Sequence, residues 1–130
     1  MIAFLLLQTA VPTAEPPAVP TDWAALAPIP YTSAPQMTPH LTAFVGSEIA
    51  AGRCTLPKPA DGHYVVKVDV ATLIDASGVI RQTVPHAIAC PTVEQYAAGL
   101  IAGFARGNLT VRPGASDIWY RATITFDWHG

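Results

Sequence analysis

Proline decides where this chain can fold. Ten of its 13 prolines lie before residue 60, and eight of them fall between Val11 and Pro39, including Pro16-Pro17 and Pro28-Ile29-Pro30. Each proline fixes φ and removes a backbone donor, so the stretch cannot be helical and suits an extended, polyproline-like spacer. The chain divides accordingly into residues 1–14 as a signal peptide, 15–37 as a Pro-rich linker or strap, and 38–130 as one folded domain. Within the linker Trp23, Leu26 and Tyr31 are apolar enough to fold back, so residues 22–35 are read either as an ordered strap or as free spacer.

Charge narrows the function classes. Charged residues make up 12% of the 130 and the formal net charge is -2, so there is no basic footprint to neutralise nucleic-acid phosphates. The five Arg and two Lys are scattered, which argues equally against docking on an anionic membrane. The apolar run from Ile2 to Leu7 is far short of the ~20 residues that span a bilayer. It resembles the core of a secretory signal without the basic n-region or an A-x-A pair, and export is expected, with a mis-assigned start codon or an ordinary cytosolic tail as the alternative. Cys54 and Cys90 are the only cysteines. An even count in an exported chain favours one disulfide, against two buried reduced thiols.

The remaining pattern reads as helix, strand, strand, helix, strand. Thr38 is a candidate N-cap with Pro39 at the first helical position, Leu41, Phe44, Val45 and Ile49 form an apolar stripe, and Gly52 stands at the C-cap. Thr42 and Glu48 are expected at the solvent or the rim. After the Asp61-Gly62 turn, Tyr64, Val66, Val68, Val70, Thr72 and Ile74 alternate with Val65, Lys67, Asp69, Ala71 and Leu73, a long strand with one mostly buried face. Asp75-Ala76-Ser77-Gly78 turns the chain into a second strand over 79–84, stopped by Pro85.

Thr92-Val93-Glu94-Gln95 has the spacing of a capping box, so a second helix is expected from Val93. Val93, Tyr96, Ala97, Leu100, Ile101 and Phe104 give it one apolar face, and Gly99 and Gly103 would let a strand approach closely or simply weaken the helix. Beyond the Pro113-Gly114 turn, Ile118, Tyr120, Ala122, Ile124, Phe126 and Trp128 alternate with Trp119, Arg121, Thr123, Thr125 and Asp127. The fold class is α+β: a small three-stranded antiparallel sheet with both helices on one face, in the order αββαβ.

This ordered set resembles the C-terminal domain of TonB-family energy transducers over about residues 38–128. The residues that carry it are Tyr64-Val65-Val66-Lys67-Val68-Asp69-Val70, Asp75-Ala76-Ser77-Gly78-Val79-Ile80, Val111-Arg112-Pro113-Gly114 and Ile124-Thr125-Phe126. The resemblance implies a periplasmic, non-enzymatic domain of a Gram-negative envelope. It further implies that a segment of an envelope or outer-membrane receptor binds by adding as a strand to a sheet edge. The edge so implied is the last strand, with Tyr120, Arg121, Thr123, Thr125 and Asp127 as the binding residues. The sequence departs from the family in lacking a transmembrane anchor and in reducing the aromatic-basic end of the main helix to Phe104-Ala105-Arg106.

Chemistry is sparse. His40, His63, His86 and His129 are dispersed with no metal or catalytic spacing, so no catalytic residue and no cofactor is assigned. Two other readings stand beside peptide binding: an envelope module that forms a homodimer through the same edge, and a zinc-binding module built from Cys54, Cys90, His63 and His86. Trp119 and Trp128 are expected as core or sheet-edge aromatics rather than a ligand platform.

Overall fold

A computed structural model describes residues 18–110 and 116–130. The segment expected to be a signal peptide and the turn expected at Pro113-Gly114 lie outside them. The elements are α1 (Pro39–Ala50), β1 (His63–Ile74), β2 (Ile80–Pro85), α2 (Pro91–Ala105) and β3 (Ile118–His129), with a single 3-10 turn at Trp23–Ala25 before them. The expected α+β class and the three-stranded antiparallel sheet are both present. The strand order is β2-β1-β3, so the long first strand lies in the middle.

Helix α1 starts where Thr38 accepts a hydrogen bond from the Leu41 N–H, with proline at the first helical position. It ends in a Schellman motif: Arg53 N–H donates to the Glu48 carbonyl and Gly52 N–H to that of Ile49. Gly52 holds φ at +74°, a conformation that a Cβ would penalise. The buried side of α1 is Thr42, Val45 and Glu48, while Phe44 is 37% exposed. The expectation that Thr42 and Glu48 face outward is therefore corrected. Both tolerate burial because they are satisfied: the Thr42 hydroxyl donates to the Thr38 carbonyl, and Glu48 accepts from Arg53 and from Thr92.

Helix α2 begins two residues before the expected Val93, at Pro91, with Cys90 as N-cap. The capping box does not form, because the Thr92 hydroxyl donates to Glu48 rather than to its own helix. Glu94 does the capping instead, its carboxylate accepting from the backbone N–H groups of Ile88 and Cys90. Gly99 and Gly103 face open space, so no strand approaches them.

The two helices share one face of the sheet. Val45 from α1 and Val93, Ala97 and Ile101 from α2 meet Val66, Val68, Val70, Ala122, Ile124 and Phe126 in one continuous core. Helix α1 lies over β3 and α2 over β2 and β1. Cys54 and Cys90 form the expected disulfide, which fastens the loop after α1 to the start of α2.

The Pro-rich segment is a strap, and it adds an isolated bridge to the sheet edge. Arg121 N–H donates to the Ala27 carbonyl at 2.9 Å and Ile29 N–H donates to the Arg121 carbonyl at 3.0 Å, a parallel bridge on the outer edge of β3. The Ile29 side chain is 8% exposed and joins the core. Past Pro30 the strap turns to the end of α2, where Tyr31 bridges Leu109, and burial pushes the Tyr31 phenol above its ordinary pKa. Upstream, Trp23 meets the His86 ring edge-on while its carbonyl accepts from the Arg121 guanidinium. The strap thus crosses the sheet on the face away from the helices, where Ala71 and Leu73 are fully buried. Periodicity alone had assigned those two residues to an outward face.

Candidate functional site

Strand pairing determines which backbone groups are free. Along an antiparallel pair, alternate residues point their N–H and C=O toward and away from the neighbour. Arg121 uses both groups on the strap, so the outward set of β3 is Arg121, Thr123, Thr125 and Asp127. Past Ile29 the strap bends away, because Ile29 gives its carbonyl to the Tyr31 N–H. Among the described residues nothing pairs with the outward backbone groups of Thr123, Thr125 and Asp127.

The side chains there are partly engaged. Thr123 donates its hydroxyl to Asp69 on β1, and His63 hydrogen-bonds Asp127. His63 also stacks on His129 with ring centroids 4.5 Å apart, so two histidines that are dispersed in the sequence meet at one end of the sheet. Of the five residues expected at the edge, Tyr120 is 7% exposed and faces the core, and Arg121 is occupied by the strap. Thr123, Thr125 and Asp127 remain open.

Beside this open stretch lies a cleft of about 510 Å³, in the range of small-ligand sites. Pro39, Ala43 and Gly46 of α1, with Met37 just before it, form one wall, and Thr125 and Trp128 on β3 form the other. Trp128 is held by stacking on Tyr64, with centroids 4.9 Å apart, and packs against Gly46. It is thus a wall of the cleft as well as a sheet-edge aromatic. No protein-family model, curated protein or solved structure matches the chain.

A second edge is open on β1. Strand β2 pairs only with Val70 to Ile74, and His86 adds one bond to the Asp69 carbonyl, so the outward backbone groups of Val65 and Lys67 have no partner among the described residues. Val65 is 55% exposed.

The four residues of the zinc reading are not brought together. Cys54 and Cys90 are bridged to each other, His63 lies against Asp127 and His86 against Trp23. His63 and the residue bonded to His86 are six positions apart on β1, roughly 20 Å at strand rise. Among the described residues no group of three or more His, Cys, Asp or Glu is arranged to hold a metal. No described helix is long and apolar enough to cross a membrane.

Proposed function

We propose that this domain is a non-enzymatic peptide-binding module of the Gram-negative periplasm. An extended segment of an envelope or outer-membrane transport protein adds as a strand to the open edge of β3 at Thr123–Asp127. The observation that carries the reading is the edge itself: three consecutive outward-facing residues with unpaired backbone groups, next in line after the point where the chain's own strap already pairs. Main-chain hydrogen bonds would supply affinity and the flanking side chains selectivity. The Cys54–Cys90 disulfide supports an oxidising compartment. The resemblance of the αββαβ order to TonB C-terminal domains supports the same class of partner.

The test is selection of a random heptapeptide library on the whole chain, followed by amide hydrogen exchange of the complex. Protection of the Thr123, Thr125 and Asp127 N–H groups is the expected result. Selected peptides that protect other amides, or no selected peptide at all, would refute the reading. Protection of these three amides without peptide, rising with protein concentration together with mass, would give the edge to a second copy of the chain.

A further inference from the structure

We infer that the cleft between α1 and β3 is a side-chain pocket that makes this edge selective for strands with a large apolar residue flanked by polar ones. The inference rests on the strand-addition reading and goes further by naming which residue type the site accepts and which residues choose it.

Two observations carry it. The first is the strap, an occupant of the same edge already in place. It pairs with Arg121 through Ala27 and Ile29, and it sends the Ile29 side chain to the helix side of the sheet, into the core, where it is 8% exposed. Strand pairing on β3 thus delivers a large apolar side chain to the helix-covered face. The second is what lies farther along the edge. Where the strap bends away, the helix side is not filled by protein: the cleft of about 510 Å³ opens between Ala43 and Gly46 on α1 and Trp128 on β3.

Side chains alternate along a strand, so a strand added beside Thr123–Asp127 places its residue opposite Phe126 on the helix side. That residue meets the cleft. Its two neighbours point to the other face, beside Thr125 and the half-exposed Asp127 carboxylate, with Lys67 and Val65 in the next row. The Thr125 hydroxyl, the Asp127 carboxylate and the Lys67 ammonium suit hydroxyl, amide or basic side chains there. The small residues set the size of the pocket: Ala43 is exposed and Gly46 lets the indole of Trp128 lie against α1, with only 3.4 Å between its ideal Cβ position and the Trp128 Nε1.

The experiment is the heptapeptide selection run in parallel on the whole chain, on Ala43→Phe and on Thr125→Pro. Ala43 is on the surface of α1, so a phenyl ring there fills the cleft without entering the core. The expected result is enrichment of a Phe, Leu, Tyr, Ile or Met flanked by polar residues. Such peptides should bind Ala43→Phe about tenfold or more weakly, the loss that follows from failing to bury one such side chain. They should not bind Thr125→Pro. Peptides that need Thr125 but show no apolar preference and bind Ala43→Phe equally would overturn the pocket while strand addition stands. Peptides indifferent to Thr125→Pro, or no enrichment, would remove both.

Discussion

The Glu48 carboxylate accepts the hydroxyl of Thr92 at 2.8 Å, so a buried acid on α1 fixes the first turn of α2. The other carboxylate oxygen of Glu48 accepts from Arg53 at 2.9 Å. The interhelix contact is polar at one end and aromatic at the other, where the Tyr96 hydroxyl donates to the Leu41 carbonyl and its ring packs on Phe44.

Replacing Glu48 by Ala should lower stability by about 2 kcal/mol, because two hydrogen bonds to a charged, buried acceptor are lost together. Glu48→Gln should recover part of this by keeping an acceptor for Thr92. Urea unfolding checks both, and the Thr92→Val variant in the Glu48→Ala background should cost little more than the single change.

The disulfide closes a loop of 36 residues. In the chain-entropy account a loop of that length contributes about 4 kcal/mol, much of the stability of so small a domain. The Cys54→Ser, Cys90→Ser double variant should melt well below the parent in a thermal scan, and reduction of the parent should bring the two together.

Ala89, next to the bridge, holds φ at +61° while its carbonyl accepts the Thr55 N–H. A non-glycine residue there pays for its Cβ. Ala89→Gly should raise stability by about 0.5–1 kcal/mol, after allowing for the freer unfolded chain. An unchanged or lower urea midpoint would contradict the strain.

Asp75 organises the hairpin turn. Its carboxylate accepts from the Val79 N–H, from the Ser77 hydroxyl and from the Ser77 N–H, with Arg81 beside it at 2.9 Å, and these contacts lower its pKa below the ordinary 3.8. A depressed carboxyl stabilises the fold above its unfolded value and loses that contribution as pH falls through the folded one. The stability gap between the parent and Asp75→Ala should therefore be constant near neutral pH and close progressively below about pH 4. Urea titrations at a series of pH values read it directly.

Proline distinguishes the two sets of β3 residues. Thr125→Pro removes an N–H that has no partner in the sheet and should leave helix content and cooperative melting intact. Ile124→Pro removes an N–H directed at Val68 and should unfold the domain. Circular dichroism of the pair decides whether the edge is assigned correctly.

Much of this architecture was legible because burial imposes its period on the sequence. The alternation of Tyr120 to Trp128 and of Tyr64 to Ile74 gave β3 and β1, and Thr38-Pro39 gave the start of α1. What misled was local chemistry redirected by tertiary contacts. Thr92 has the spacing of a cap but finds Glu48, and Glu94 takes over the cap. Ala71 and Leu73 looked outward because the strap that covers them was read as linker or strap without a docking place. Trp23 and Pro28-Ile29-Pro30 held the clue, since an aromatic and an isolated isoleucine in a proline tract have little reason to stay in water. The cleft could not be read at all: Ala43, Gly46 and Trp128 come together only when α1 is laid over β3.

The strap also sets how the domain would answer tension. It runs parallel to β3, so a pull on the chain upstream of residue 18, directed along the strap, loads the bonds of Ala27 and Ile29 to Arg121 at the same time. The Ile29 side chain and the pairing of residues 30–32 with 108–110 resist together with them. Bonds stretched side by side in shear yield as a group, whereas bonds peeled from one end yield one after another. The strand that offers the docking edge is therefore also the strand that first receives an applied force.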